Sequence, residues 1–262
     1  MTGPKIFAPE YYTLMHELER SSWWSAGMRD IAERMLRAAA LPSEGLLLDV
    51  GCGSGQTMSW FRRRWPGWRT LGLDVARPGL TAAHQGGGER VFGASALELP
   101  VPDASVDAVI TLDVLQHLPL HGGDTQALGE IHRVLRPGGV VFIRTNAQSW
   151  PRTDDDVEYN FHKYSGGELR RKLEAAGFRV RRLGRVNALL GLAEIPRQLR
   201  AKRVGGSGYT GILAGLPKRN LVWHAKRAWL RIEGVAGAAG ASLPLGRALV
   251  AVAEARLEGD SR

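Results

Sequence analysis

The stretch Leu46-Leu47-Leu48-Asp49-Val50-Gly51-Cys52-Gly53-Ser54-Gly55 constrains the fold more than any other part of the chain, because an apolar run of strand length passes directly into three alternating glycines. Glycine lacks a Cβ, so such a loop reaches positive φ and lets a ligand approach the backbone. The helical stretch Ser54–Arg64 follows at once, and strand, glycine turn and helix together open an α/β unit. The pattern continues. Apolar runs at Arg69–Asp74, Arg90–Gly93, Asp107–Leu112 and Val140–Arg144 alternate with helical stretches at Pro78–His84, Thr125–Leu135 and Gly166–Ala176. Only the link between the third and fourth strands has no placeable helix. Strands separated by helices pair in parallel, which predicts a doubly wound α/β sheet. Phe178–Val186 and Ala248–Ala255 read as sixth and seventh strands.

Two segments lie outside this alternation. Residues 9–40 read as two helices split near Ser21 to Ser25, the second carrying Met28, Ile31, Ala32, Met35 and Leu36 at helical spacing. About 60 residues separate the last two strands, where ordinary connections run to roughly 2–6. This inserted element holds Gly205-Gly206-Ser207-Gly208 and a candidate helix, Arg219–Glu233. That helix carries Leu221, Ala225, Ala228, Trp229 and Ile232 on one arc and Lys226, Arg227 and Arg231 elsewhere.

Composition narrows the class. With 262 residues, 44% hydrophobic and 23% charged, the chain is one large domain or a domain with an appendage, and disordered or collagen-like classes are excluded. No run approaches the ~18 apolar residues of a membrane span, and no basic-then-apolar signal segment is visible near the N-terminus. Cys52 is the single cysteine, so no internal disulfide forms, and no Cys/His cluster has metal-ligand spacing. A cytoplasmic protein without a metal is expected. A net charge of +9 and a pI near 10.2 suit nucleic acid, an anionic membrane or an acidic ligand. They equally suit an Arg-rich composition with no charged partner.

The identity of a ligand at the glycine loop follows from spacing. A dinucleotide fingerprint needs G-x-G-x-x-G, but the residue three after Gly53 is Gln56; a phosphate-binding P-loop needs a lysine where Gly55 is followed by Gln56-Thr57. Asp49 stands two residues before Gly51, where it would repel a pyrophosphate and tolerate a cation. S-adenosylmethionine, with positive sulfonium and ammonium groups, fits that field. Asp74 ends the second strand about 20 residues after the loop, where a carboxylate accepts hydrogen bonds from both ribose hydroxyls.

The loop at Asp49–Gly55, Gly72-Leu73-Asp74, the segment Leu99–Val109, Leu115-Gln116-His117-Leu118 and Arg133–Gly139 occur in order and at fitting separations. Together they resemble the successive motifs of class I S-adenosylmethionine-dependent methyltransferases, over about residues 45–183. The resemblance implies a Rossmann-like, seven-stranded sheet with an antiparallel last strand. It places Asp49, Gly51 and Gly53 around the methionine half of the cofactor, Asp74 at the ribose and Ser95, Ala96 and Leu97 at the adenine, with Cys52, Val75 and Leu112 also expected to bind the cofactor. Where the family usually has an acid for the adenine amino group, this chain has Ser95, whose hydroxyl makes a weaker bond without charge assistance. S-adenosylhomocysteine would be the product. Trp23-Trp24 with Arg29 resembles a signature of small-molecule members, in which N-terminal helices close over the site and Arg29 pairs with the cofactor carboxylate; plain core is the other reading of the tryptophans. The organisation expected is a helical lid at 1–42, a cofactor-binding core at 43–184, a helical insertion capping the substrate side at 185–245, and the last strand and tail at 246–262.

Methyl transfer from a sulfonium requires alignment and exclusion of water more than a nucleophile. A base helps with a hydroxyl or acidic carbon, and histidine suits neutral pH. His117, after the fourth strand, and His162, in Tyr159–Ser165 behind Asp154, Asp155, Asp156 and Glu158, are the candidates. Each also has a structural reading: His117 as a loop-shaping turn residue, His162 as a loop residue before an N-cap at Ser165. The acceptor expected is a small molecule, apolar or acidic, with no nucleic-acid partner. The basic helix near 219–233 would either touch an anionic membrane or pack on the core. The rival function is a protein of the same fold that binds S-adenosylmethionine without methylating, as a cyclase or binding module.

Overall fold

The computed structural model describes residues 9–85, 90–148, 162–188, 192, 219–239 and 246–256. Two helices, α1 (Pro9–Ser21) and α2 (Trp23–Ala38), precede a sheet built from β1 (Gly45–Val50), β2 (Trp68–Asp74), β3 (Val91–Gly93), β4 (Val106–Leu112), β5 (Leu135–Asn146), β6 (Phe178–Val186) and β7 (Ala248–Ala255). Between the strands lie α3 (Gln56–Arg64), α4 (Arg77–Gln85), α5 (Gly123–Val134), α6 (Gly166–Ala175) and α7 (Leu221–Ala238). The strand order is β3-β2-β1-β4-β5-β7-β6, parallel except for β7, which runs antiparallel to both neighbours. No helix lies in the link between β3 and β4.

Alternation along the strands explains the layers. Successive side chains of a strand point to opposite faces. Leu47, Ala108, Ile110, Phe142 and Val250 therefore meet Met28, Ile31, Met35, Phe61 and Leu230 on one face, while Leu48, Val109, Val141, Ile143 and Ala251 meet Leu128, Ile131, Leu169 and Leu173 on the other. Both faces are covered, as parallel strands require.

The order reverses direction between β1, followed by β2 on one side, and β4 on the other. The carboxyl ends of these strands make the crevice where open α/β sheets bind ligands.

The start of α2 shows why the chain breaks between the first two helices. Ser22 is the N-cap, its Oγ accepting from Ser25 N at 3.0 Å, so a new helix begins where the first ends. Far along the chain, α7 packs on α2. Leu230 seats against Gly27, where a Cβ would come within 2.4 Å of its Cδ1, so the glycine admits a close helix crossing. Asp30 accepts from Arg227 Nε and Nη2 and from Arg231 Nε at 2.9–3.0 Å. Burial would raise the Asp30 carboxyl, but the hydrogen bonds and charges of the two arginines hold it below its usual value.

The apolar arc read from the sequence of α7 proves to be the outward one. Leu221 is 84% and Ile232 62% exposed, while Trp223, Leu230, Glu233, Gly234 and Gly237 are buried. The seat is chosen by the Asp30 pairing, by small residues at the crossing and by Glu233. The Glu233 carboxylate accepts from Asn187 N, Ala188 N and Trp229 Nε1, so the polar end of β6 is satisfied by α7. Of the three basic residues read on this helix, Arg227 and Arg231 hold Asp30, and Lys226 lies 5.3 Å from the Trp23 ring. Gly205–Gly208 and the acidic run Asp154–Glu158 lie outside the described residues.

Candidate functional site

The loop leaving β1 is pinned to β2. Gly51 N and Cys52 N both donate to Leu73 O, at 2.8 and 2.9 Å, and Gly53 N donates to Asp74 Oδ2 at 2.9 Å. Gly51 and Gly53 have φ of +78° and +50°, left-handed values that favour glycine. A Cβ on Gly51 would come within 2.2 Å of Val114 Cγ2, whereas one on Gly53 would meet nothing within 4 Å. The first glycine is thus closed against the chain, and the second faces open space.

Two carboxylates frame this loop. Asp49 is 1% exposed at the penultimate position of β1. Asp74 accepts from Gly53 N with one oxygen and from Ala76 N, at 2.8 Å, with the other. It therefore caps the loop, and because a carboxylate has about four acceptor sites it retains capacity for hydroxyl donors. Neighbouring Val75 is 69% exposed. The cationic nucleoside expected from the sequence fits this set: an open glycine cradle, acids beside it, and no lysine in the loop to hold phosphate.

Ser95, Ala96 and Leu97 form a turn after β3 that α5 holds in place. Gln126 Nε2 donates to Leu97 O at 2.9 Å, Glu130 accepts from Leu99 N, and Arg133 donates to Leu99 O and Val101 O. These bonds tie the motif at Leu99–Val109 to the one at Arg133–Gly139. Ser95 Oγ accepts from Leu97 N at 3.1 Å, so one of its lone pairs already serves the turn. Cys52 turns inward: it is 7% exposed and packs where a Cβ on Gly72 would lie 2.9 Å from its Sγ.

The opposite rim carries both histidines. His117 ends a single 3-10 turn, Leu115–His117, that follows β4. Its neighbour Gln116 is 4% exposed, and its Oε1 accepts from Thr145 Oγ1 and Asn146 N of β5. Tyr164 Oη donates to Leu115 O and to Asp124 Oδ2, and Lys172 also pairs with Asp124. These contacts fix the turn. His162 N donates to Gln116 O at 2.9 Å, which brings the second histidine to the same rim. The His162 ring, however, lies 2.8 Å from Glu168 Oε1, and Ser165 is the N-cap of α6, its Oγ accepting from Glu168 N.

Apart from Arg29, sequence reasoning did not single out the charged cluster beneath the N-terminal helices. Arg144, near the end of β5, grips Asp113 through Nε and Nη2 in three contacts of 2.5–3.1 Å and lies 4.7 Å from the Trp24 ring. Asp113 has φ of +59°, an unusual conformation for a residue other than glycine. Arg29 Nη2 donates to Glu19 O at 2.8 Å, and Ser54 Oγ donates to Glu19 Oε2 at 3.0 Å. Met28, Arg29, Thr57, Trp60, Leu112 and Arg144 are among the residues lining a small hollow that opens to solvent. Leu112 and Arg29, both expected at the site, therefore meet there.

Comparison with known proteins agrees with this geometry. Residues 48–143 match the methyltransferase domain family. The chain is 30% identical over 145 residues to a trans-aconitate 2-methyltransferase of Azoarcus sp., covering 55% of this chain and 54% of that protein. It is 32% identical over 148 residues to a malonyl-[acyl-carrier protein] O-methyltransferase of Serratia marcescens, covering 52% and 55%. The chain thus spans about half the length of these relatives. The fold matches the crystal structure of the [4+2]-cyclase SpnF with a TM-score of 0.58 at 22% identity, over 91% of this chain and 84% of that one. Residues 48–143 thus carry a methyltransferase domain, and with its motifs and seven-stranded sheet the chain resembles the class I S-adenosylmethionine-dependent methyltransferases.

Proposed function

We propose that the protein transfers the methyl group of S-adenosylmethionine to a small molecule, at a hydroxyl or an activated carbon. The observation that carries this reading is the left-handed glycine loop at the reversal of strand order, with the Asp74 carboxylate bonded to Gly53 N. One relative is named for trans-aconitate and the other for a malonyl group on an acyl-carrier protein, both carrying a carboxylate, and a net charge of +9 would favour an acidic acceptor.

When bound, S-adenosylmethionine would supply an electrophilic methyl carbon on its sulfonium, leaving as S-adenosylhomocysteine. The chain does the rest. Asp74 would accept from the ribose hydroxyls, Val75 would flank the nucleoside, and Ser95, Ala96 and Leu97 would bound the adenine. Arg29 pairs with the cofactor carboxylate, since its planar fork matches that group. The roof of α2, itself clasped by α7, excludes water from the cavity.

Where the acceptor is a hydroxyl, His117 takes its proton. His162 is the second candidate, but its Nε2 already faces Glu168 at 2.8 Å, so it suits holding the rim. Asp74→Ala is expected to weaken S-adenosylhomocysteine binding by about 1–3 kcal/mol through lost charge-assisted hydrogen bonds. Equal affinities by calorimetry would remove Asp74 from the ribose site.

The function itself is tested by incubating the protein with S-adenosylmethionine and panels of small acids and hydroxy compounds. Mass spectrometry should show a gain of about 14 Da on an acceptor, matched by S-adenosylhomocysteine, and His117→Ala should slow that turnover about 100-fold with cofactor affinity kept. Tight cofactor binding with no methylated product on any acceptor would favour the non-methylating cyclase or binding-module reading.

A further inference from the structure

The N-terminal helix α1 packs on α2, α3 and α4. From it Glu19 reaches down to the loop, and Ser54, 6% exposed beside Gly53, donates its hydroxyl to Glu19 Oε2 at 3.0 Å. Two cations and one further acid act on this carboxylate: Arg29 from α2, Arg144 from β5 and Asp113 at the end of β4. Arg29 is committed to the Glu19 carbonyl at 2.8 Å, and Arg144 is committed to Asp113. A carboxylate has therefore been carried into the cofactor crevice on a helix, where among the described residues the neutral Ser54 hydroxyl donates to it.

We propose that Glu19 is the lid's own contact with the cofactor, its carboxylate receiving the α-ammonium of the amino-acid end so that α1 seals the site through that ion pair. This rests on the cofactor reading above. The ammonium is the cationic hydrogen-bond donor of S-adenosylmethionine, since the sulfonium carries no N–H. Its natural partner is an ionised carboxylate placed next to the glycine loop, and the Arg29 guanidinium alongside suits the cofactor's carboxylate in turn. Burial raises the Glu19 carboxyl above its usual value, despite the opposing pull of Ser54, Arg29 and Arg144. An arriving cation would offset that cost of burial, so ligand binding and closure favour each other. Asp49 lies lower, in β1 beneath the loop, whereas Glu19 comes from the side that must open to admit a ligand.

The test compares two ligands by calorimetry on the full chain: S-adenosylhomocysteine, which has the amino-acid end, and 5′-methylthioadenosine, which lacks it. Glu19→Gln keeps the shape and the Ser54 contact, and should weaken S-adenosylhomocysteine about 10-fold or more while leaving 5′-methylthioadenosine within about twofold. Should Glu19→Gln fail to fold, Glu19→Asp, which withdraws the carboxylate by one methylene, is expected to give the same one-sided loss. Equal losses for both ligands, or no loss for S-adenosylhomocysteine, would overturn the assignment and leave Glu19 a structural partner of Ser54. Failure of the wild-type protein to bind either compound would instead overturn the cofactor reading, and the assignment with it.

Discussion

Gly51→Ala is expected to lower folding stability by about 2–5 kcal/mol, from roughly 1–2 for a left-handed L-residue and about 1–3 for overpacking. The site leaves no easy escape. The new Cβ would stand 2.2 Å from Val114 Cγ2, and Gly51 N is held by Leu73 O at 2.8 Å, so backing away breaks the hydrogen bond that joins the loop to β2. Moving Val114 instead would disturb the link between β4 and the turn that bears His117. Urea unfolding should show a lower midpoint, and whatever folds should bind S-adenosylhomocysteine poorly. Gly53→Ala provides the contrast: it suffers left-handed strain, but its Cβ meets nothing within 4 Å, so its stability loss should be the smaller one. Equal midpoints for Gly51→Ala and wild type would show that the loop is not clamped as described.

Glu233→Ala is expected to cost about 3–5 kcal/mol, because it strands backbone donors at the end of β6 that have no water to turn to. Glu233 is 3% exposed, and Asn187 and Ala188, whose N–H groups it accepts, are 4% and 6% exposed. The indole Nε1 of Trp229 would lose the same acceptor. Asn187 also has φ of +72°, so this corner stores strain that the carboxylate compensates. Thermal unfolding, together with proteolysis at α7, should report both the loss and the release of the helix. A melting temperature within a degree or so of wild type would mean that the corner can repair itself with solvent.

Local features of the chain were legible in the sequence. The strand β1, the glycine turn and Asp74 are short-range patterns, and six of the strands were located to within a residue because apolar runs and turn residues bracket them. β5 was read too short. It begins at Leu135, where Leu135 pairs with Val106 ahead of a register shift, while Arg136-Pro137-Gly138 look like a turn in isolation. Contacts between distant segments were not legible. Glu19 lies 35 positions from Ser54, and Asp30 lies 197 from Arg227, separations over which no periodicity carries information. The outward arc of α7 misled for a related reason. Apolar periodicity marks the buried face only when packing is driven by area, and here Gly27 and Gly234 allow a close crossing while Asp30 and Glu233 add charged hydrogen bonds.

The position of β7 bears on how the chain is made. β7 sits between β5 and β6, pairing with both, yet Ala248–Ala255 follows every other strand in the sequence. A ribosome therefore releases β1 to β6 before the strand that joins β6 to the sheet exists, and the outer edge of β5 waits unpaired through the synthesis of about 100 residues. An exposed edge bordered by Val141 and Ile143 templates association with other chains. Expression of this protein should consequently depend on chaperones that hold nascent chains, and early stop codons ahead of residue 248 should send the product into inclusion bodies.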